Sequence, residues 1–193
     1  AEQQAETGAG DAIVVTGSRL RRSPFNSPDP LTVIDPELAL QEGDVETAEI
    51  LQSTPVASGS TQITSFLSSN FVFNGGPGVQ TLSLRGLGAE RTLVLLNSKR
   101  AGPAGTRGAV TAFDLNVLPS AIIRSVEILK DGASSIYGSD AIAGVVNIIT
   151  RSNYEGAHGS VYYGQYSEGD GEIEKYDFLL GATSERGAVT IGV

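Results

Sequence analysis

The pattern that most restricts the fold is a period-two alternation of side chains in residues 153–193. In EKYDFLLGATS, the residues Tyr176, Phe178, Leu180 and Ala182 fall on one face, and Asp177, Gly181 and Thr183 fall on the other. After the turn ERG, AVTIGV repeats the alternation, and HGSVYYGQYS is a glycine- and tyrosine-rich segment of the same kind. Because successive side chains of a strand point to opposite faces, this pattern predicts antiparallel strands with one apolar face.

Strands of this kind, joined by tight turns, are typical of the wall of a membrane β-barrel. An ordinary β-meander with one buried face would produce the same alternation. Three strands cannot close a barrel, and the last strand candidate is still running at Val193. We therefore expect either that most of a barrel lies outside this sequence or that the strands sit on another part of the chain.

Residues 31–152 predict a small α+β domain with long loops. Strands are expected at LTVID, VQTLSLRG, RTLVLLNSKRAG and SVEIL, and from Val145 to Thr150. Two Ser-, Gly-, Asn- or Pro-rich stretches, residues 57–78 and 101–112, are expected to be loops.

Helices are expected at three places in this domain. GDVETAEILQSTP predicts a helix with Asp44 as its N-cap and with one buried stripe, formed by Val45, Ala48 and Leu51. A helical turn is expected to open at Pro119, since proline suits the first helical position, and a short helix is expected in ASSIYGSD.

The first 30 residues contain one short strand candidate between two irregular segments. AEQQAETGAG is polar and lacks an initiator Met, which suggests a mature chain whose signal peptide has been removed. DAIVVTG follows, and RLRRSPFNSPDP then excludes regular structure through its three prolines. We expect a short β-branched strand with flexible chain on both sides, available to pair with a partner strand.

Composition excludes several classes of function. The chain has 13 Lys and Arg against 22 Asp and Glu, a net charge of −9, whereas nucleic-acid surfaces require clustered basic residues. Cysteine is absent, so disulfides and thiol chemistry are impossible within the chain. The one histidine, His158, falls on a predicted strand, where a surface or lumen position is expected.

Catalytic motifs are also missing from the sequence. RGLGAE lacks the spacing of a dinucleotide-binding loop, and no zincin, Walker A or nucleophile-elbow pattern occurs. Glu127 and Asp131 flank a predicted strand end, where solubility or turn capping is their expected role. We therefore predict that the protein is not an enzyme and has no cofactor or metal site.

Three glycine-containing blocks, in this order and at plausible spacings, carry a family resemblance. They are DAIVVTGSR, TLSLRGLGAERTLVLLNSKR and VEILKDGASSIYGSDAIAGVVNIITR. Together they resemble the plug domain of TonB-dependent outer-membrane transporters across residues 11–152. The last block is highly specific, because S-x-x-Y-G followed by AIAGVVNIIT is similar to the end of a plug and its entry into a barrel.

The resemblance implies a domain organisation and a location. Residues 1–30 would be a flexible periplasmic N-terminus, residues 31–152 a plug domain, and residues 153–193 the first strands of an incomplete β-barrel. The fold class is then an α+β plug, a small mixed sheet with short helices and long apical loops, followed by antiparallel barrel strands. The plug would lie inside the barrel, surrounded by outer-membrane lipid.

The resemblance also gives the strand candidate at residues 11–17 a partner. It is similar to the TonB box, which adds a strand to the energy-coupling protein TonB through main-chain hydrogen bonds. The residues concerned are Asp11, Ala12, Ile13, Val14, Val15, Thr16 and Gly17. The alternative is that this segment docks as an edge strand of the plug itself.

Further site residues follow from the same resemblance. Two plug cations of the family pair with barrel glutamates and lock the plug; Arg85 matches the first, and Lys130 stands where arginine is usual. Lysine keeps the charge without the bidentate fork. Without barrel partners, both side chains are expected to be exposed and unpaired. Loop residues expected to face the external ligand are Phe71, Phe73, Asn74 and Arg107.

The function implied is TonB-dependent active transport of a scarce nutrient across the outer membrane. The ligand would be a small molecule or oligomer: a siderophore, a vitamin, a metal complex or a carbohydrate. The alternative is a stand-alone plug-like module that binds a ligand or a partner without transport. A reading frame that continues for about 500 residues of alternating strands would favour the transporter.

Overall fold

The computed structural model describes residues 31–62, 77–104, 112–165, 167, 169 and 172–193. These residues form an α+β domain and a separate three-stranded sheet. Among them, no helix has the length and apolar character needed to cross a membrane.

The α+β domain is built on a five-stranded mixed sheet, as the sequence predicts. Its strands are β1 (Leu31–Ile34), β2 (Thr92–Leu96), β3 (Lys99–Arg100), β4 (Ile123–Leu129) and β5 (Gly144–Thr150). The strand order is β1-β4-β5-β2-β3, with β2 and β5 parallel and the other neighbours antiparallel. The central strand β5 is buried over most of its length, in keeping with a sequence that is apolar on both sides of Asn147.

One predicted strand of this domain is wrong. Val79–Leu84, the beginning of VQTLSLRG, is buried and extended but forms only a single bridge, at Thr81. Its main-chain N–H and C=O groups form hydrogen bonds with side chains, where a strand would bond to a neighbouring strand. Gln62 accepts from the Ser83 N–H at 2.8 Å and donates to the Ser83 carbonyl at 2.9 Å. Polar and apolar residues of this segment are buried alike, so its alternation marks neither a one-sided strand nor strand pairing.

Two short helices cover the domain beside β1. Helix α1 (Pro36–Glu42) was not predicted, because its Leu38 and Leu40 are exposed and produce no buried stripe. It is nevertheless well capped: Asp35 Oδ1 accepts from the Glu37 N–H at 2.9 Å, and Gly43 ends the helix at φ 98°.

Helix α2 (Thr47–Gln52) confirms the predicted stripe but not the predicted cap. Val45, Ala48 and Leu51 are all buried. The N-cap is Glu46, two residues later than the predicted Asp44. Glu49 Oε2 accepts from the N–H groups of Val45 and Glu46 at 3.1 and 3.2 Å, and so satisfies donors ahead of the helix. A side chain inside the helix therefore fixes where it begins.

The other predicted turns are confirmed. A 3-10 helix, Ser120–Ile122, follows Pro119, and helix α3 (Ser134–Tyr137) precedes β5. Gly144, the first residue of β5, has φ 139°, and a Cβ there would lie 2.6 Å from the Leu129 carbonyl oxygen. Close approach of β4 and β5 therefore requires glycine at this position.

Glu127 does not have the predicted strand-end role. It lies inside β4 with 0% exposure, opposite Asn147 of β5. Asn147 Nδ2 donates to Glu127 Oε2 at 3.4 Å, and Asn147 Oδ1 accepts from the Ser98 N–H at 2.8 Å. Asp131 does serve a turn, because its Oδ1 accepts from the Gly132 N–H at 2.7 Å.

The second sheet contains the strands predicted from the alternation. They are β6 (Gly156–Gly164), β7 (Ile173–Ser184) and β8 (Gly187–Gly192). All neighbours are antiparallel in the order β6-β7-β8, and Glu185 and Arg186 form the turn between β7 and β8. We call these three strands the wall sheet.

Candidate functional site

The outer face of the wall sheet, which points away from the α+β domain, is apolar and exposed. Its large side chains are Val161, Tyr163, Tyr176, Phe178, Leu180, Val189, Ile191 and Val193. Strand register places them side by side, with Val161 opposite Tyr176 and Leu180 opposite Ile191. Phe178 remains 57% exposed. A continuous apolar patch of this kind marks a surface that contacts something other than water.

The inner face of the wall sheet packs on the α+β domain. Leu179 of β7 is only 3% exposed. Two glycines permit a close approach: a Cβ at Gly192 would lie 3.0 Å from Ile122 Cβ, and a Cβ at Gly181 would lie 2.2 Å from the Tyr154 carbonyl oxygen. The small residues of the alternation therefore form the surface on which the domain rests.

A lysine on the inner face joins the wall sheet to the domain. Lys175 Nζ donates to the Val45 carbonyl and to Ser120 Oγ, and it lies 3.5 Å from Asp177 Oδ1. The Lys175 and Asp177 side chains are 19% and 10% exposed. Sequence reasoning did not single out Lys175. The available signal was the placement of two opposite charges, Lys175 and Asp177, on the same face of β7 as Leu179.

Two clefts open along the same contact surface. One, of about 310 Å³, is lined by His158 and Leu179 of the wall sheet and by the ion pair Arg151–Glu37, at 2.9 Å. The other, of about 320 Å³, is lined by Tyr162 and Ile173 of the wall sheet and by Asp44 and Glu49 of the domain. His158 is exposed, as the sequence predicts. In the described part of the chain, no three potential metal ligands converge.

The two predicted lock residues lie at one end of the five-stranded sheet. Arg85 has φ 54°, and its guanidinium donates to the carbonyls of Ala143 and Ile142 at 3.0 and 2.9 Å. Lys130 directly follows β4, whose last residue, Leu129, approaches Gly144.

The expected exposure is confirmed for Arg85 and is wrong for Lys130, which is half-buried. The Arg85 side chain is nevertheless not free, because two main-chain acceptors hold its guanidinium. The carbonyls at the start of β5 therefore orient the Arg85 guanidinium without any barrel carboxylate. The lock role of both residues stays a prediction.

The remaining predicted site residues lie outside the described residues. These are the TonB-box candidate at residues 11–17 and the ligand-facing candidates Phe71, Phe73, Asn74 and Arg107. Their roles stay predictions.

Known structures share this architecture over most of the chain. A mutant of the ferric enterobactin receptor PfeA from Pseudomonas aeruginosa, solved with enterobactin, is 27% identical with a TM-score of 0.53; the match covers 80% of this chain and 22% of that one. The siderophore receptor PirA from Pseudomonas aeruginosa is 24% identical with a TM-score of 0.53, covering 82% of this chain and 26% of that one. The siderophore receptor PiuA from Acinetobacter baumannii is 19% identical with a TM-score of 0.55, covering 86% and 20%.

The family comparison agrees with the architecture. The model of the family described as "TonB-dependent Receptor Plug Domain" matches residues 23–145. That range includes the strands β1 to β4 and the first two residues of β5. The chain therefore belongs to the family of TonB-dependent receptor plug domains, and it is part of an outer-membrane protein whose N-terminal side faces the periplasm.

Proposed function

We propose that this chain supplies the plug and the first wall strands of a receptor that takes up a scarce nutrient across the outer membrane. Residues 1–30 would carry the TonB-binding segment, residues 31–152 the plug, and residues 153–193 the beginning of the barrel wall. The observation that carries the proposal is the two-sided wall sheet: its inner face seats the plug domain, while its outer face exposes a continuous apolar patch. A barrel wall with lipid outside and a plug inside requires both faces.

Residues 11–17 would couple the receptor to TonB. A short β-branched segment can add a strand to a partner sheet through main-chain hydrogen bonds, with alternate side chains such as Ile13 and Val15 facing the partner. Tension on this segment would then act on β1, the first strand of the plug sheet, which begins at Leu31. In this proposal the chain gates transport by movement and performs no covalent chemistry.

A ferric siderophore is the ligand class that we propose. The support is the similarity, at 27% identity, to a receptor solved with enterobactin. The ligand would approach the plug from the predicted loops, in which Phe71, Phe73, Asn74 and Arg107 are the candidate contacts. A vitamin, another metal complex or a carbohydrate would require the same gating, so the transport proposal does not depend on this choice.

The alternative, a stand-alone binding module, has less support from the wall sheet. A module that works in water would have to expose Phe178 and its apolar neighbours to solvent, at a cost of roughly 25 cal/mol for each Å² of apolar surface. A barrel wall places the same side chains in lipid.

The test is uptake by cells that express the complete gene product. We expect a labelled ferric siderophore to bind to the cells with or without TonB, and to accumulate only when TonB is present. Accumulation without TonB would contradict energy coupling. Recovery of the protein in the soluble fraction, with ligand bound, would support the stand-alone module instead.

A further inference from the structure

The Lys175 ammonium makes two hydrogen bonds and one ion pair at the boundary between the wall sheet and the plug. A lysine ammonium has three N–H donors. Three acceptors surround this one: the Val45 carbonyl, Ser120 Oγ and Asp177 Oδ1. Two of the three belong to the plug, so one wall side chain is fastened to the plug at two points.

Charge is balanced at this contact. Asp177 stands two residues after Lys175 on the same face of β7 and is itself 10% exposed. Ser160 of β6, directly opposite Asp177, donates to its Oδ2 at 3.4 Å. The ammonium therefore has a buried counter-ion on its own sheet, and a buried pair persists only where its members are paired and hydrogen-bonded.

The two plug segments that Lys175 contacts are also tied to each other. Ser120 Oγ donates to the Val45 carbonyl at 3.2 Å, and Thr47 Oγ1 donates to the Leu118 carbonyl at 2.7 Å. Val45 precedes helix α2, and Ser120 begins the 3-10 helix before β4. Lys175 thus meets the plug where its main chain is already fixed, and the contact does not rely on a free loop.

The contact stands between the two clefts. The inner-face residues of β7 follow one another as Ile173, Lys175, Asp177 and Leu179. Ile173 lines the cleft of about 320 Å³, whereas Asp177 and Leu179 line the cleft of about 310 Å³. The Lys175 side chain therefore crosses from wall to plug between the residues that line the two clefts.

Both clefts have charged side chains in their lining. Asp44 and Glu49 line one of them, and Glu37, Arg151 and His158 line the other, together with apolar residues such as Leu40 and Leu179. The buried Nε of Arg151 has no hydrogen-bond partner among the described residues, and such a group is normally hydrated. Joined end to end, the clefts would form a continuous space along the plug with charged side chains at intervals, which small hydrated solutes could enter.

We propose that Lys175 is a partition residue, whose bridge to Val45 and Ser120 keeps small hydrophilic solutes from passing between the plug and the wall. This inference rests on the proposed function, in which the wall sheet is part of a barrel around the plug. The partition differs from the predicted lock at Arg85: the lock retains the plug in the barrel, whereas the partition seals the space beside a plug that stays in place.

The test is ion conductance of the complete gene product in planar bilayers, without TonB and without ligand. Lys175→Met keeps the length of the side chain and removes its ammonium. We expect a several-fold rise in steady conductance of small ions, with no entry of large glycopeptide antibiotics into cells. Lys175→Arg should stay near the wild-type conductance. Lys99→Met, at an exposed position of β3, is the matched control and should leave conductance unchanged.

A second variant separates sealing from folding. The chain has no cysteine, so Lys175→Cys introduces a single reactive site in this segment. Aminoethylation of that cysteine restores an ammonium at nearly the original distance, and we expect it to return the raised conductance to the wild-type level. Carbamidomethylation, which adds no charge, should leave the conductance high.

Two results would overturn the partition. One is wild-type conductance in both Lys175→Met and unmodified Lys175→Cys. The other is entry of large antibiotics in these variants to the extent produced by Arg85→Ala, which would mean that the whole plug loosens. Different results would contradict the proposed function. The wild-type protein would then fail to insert into bilayers, or uptake would proceed without TonB while the effect of Lys175 on conductance persists.

Discussion

Gly181 of the wall sheet faces the main chain of Tyr154, and the space between them cannot hold a side chain. A Cβ at position 181 would lie 2.2 Å from the Tyr154 carbonyl oxygen and 2.7 Å from its carbon. Both atoms belong to the main chain, so a rotamer change cannot relieve the clash. This pair sets how closely β7 approaches the segment that leaves the plug.

Gly181→Ala should therefore displace the wall sheet from the plug. Overpacking costs about 1–3 kcal/mol even where side chains can move, and here the obstacle is main chain. We expect a lower melting temperature of the folded receptor and faster proteolysis after Arg151. Gly187→Ala is the control, because a Cβ at Gly187 meets nothing within 4 Å. Equal stability of the two variants would contradict the close packing.

The proposed TonB-binding segment is tested by Val14→Pro. Proline removes a main-chain donor that a strand ladder requires, so TonB-dependent uptake should be abolished while ligand binding to cells is unchanged. Ser23→Pro, in a stretch of sequence that already contains prolines, should transport normally. Normal uptake by Val14→Pro would remove residues 11–17 from the coupling proposal.

The lock is tested by comparing Arg85 and Lys130 in the complete receptor. If Arg85 also pairs with a buried barrel carboxylate, Arg85→Ala leaves that charge unpaired at a cost of about 3–5 kcal/mol, and large antibiotics should enter cells without TonB. Lys130→Ala should leak less, since an ammonium makes only point contacts, and Lys130→Arg should seal at least as well as the wild type.

Part of the Arg85 effect is internal to the plug, and one further variant measures it. The guanidinium donates to the carbonyls of Ala143 and Ile142, and Arg85→Lys cannot reproduce this two-point contact. We expect Arg85→Lys to loosen the start of β5 in hydrogen exchange while retaining most of the seal. Absence of leakage in both alanine variants would leave Arg85 as a local anchor of β5 and no more.

Lipid contact of the outer face is tested by Leu180→Arg. A cation at the middle of a lipid-facing strand costs about 2–4 kcal/mol, and the cost falls to about 0–1 kcal/mol near the membrane interface. Leu180 lies on the exposed face in the middle part of β7, whereas Ser184 ends the strand at the turn. We expect Leu180→Arg to reduce the amount of receptor in the outer membrane and Ser184→Arg to have little effect. Full assembly of Leu180→Arg would favour an aqueous module.

The side-chain support of Val79–Leu84 gives a stability prediction. Gln62→Ala removes both bonds to Ser83 and leaves buried main-chain groups unsatisfied, which costs about 1–3 kcal/mol for each group. We expect rapid hydrogen exchange at Ser83 and a lower free energy of unfolding. Thr61→Ala, at the exposed neighbouring position, should behave as the wild type. Unchanged hydrogen exchange at Ser83 would show that the two Gln62 hydrogen bonds do not hold the segment in place.

Local patterns predicted those elements whose partners are close in sequence or whose burial is periodic. The turn after β2, the strand at Val145–Thr150 and the alternating wall strands are of this kind. The segment Val79–Leu84 was misassigned because its main chain bonds to remote side chains, Gln62 among them, and alternation does not distinguish that arrangement from a strand ladder.

The site was predictable only in part, for a related reason. In the sequence, Glu127 resembles a charged residue at a strand end, and its burial depends on β5, which lies beside it in the fold. Lys175 likewise resembles an exposed cation in the sequence, and its burial depends on the plug, against which β7 packs. In both cases a charged side chain finds acceptors on a segment far away along the chain. Burial of such groups depends on tertiary contacts, which a short sequence pattern does not contain.

The strand order of the plug determines how much of the chain must be present before the plug sheet can form. Strand β5, the last of the five in sequence, lies at the centre of the sheet between β4 and β2. β2 therefore has no neighbour except the two-residue strand β3 until Gly144–Thr150 is available. Such non-local and parallel pairing forms slowly. The plug cannot complete its sheet before the chain extends to Thr150, and β6, the first strand of the wall sheet, begins soon after, at Gly156. Completion of the plug sheet and the start of the wall sheet therefore follow each other closely along the chain.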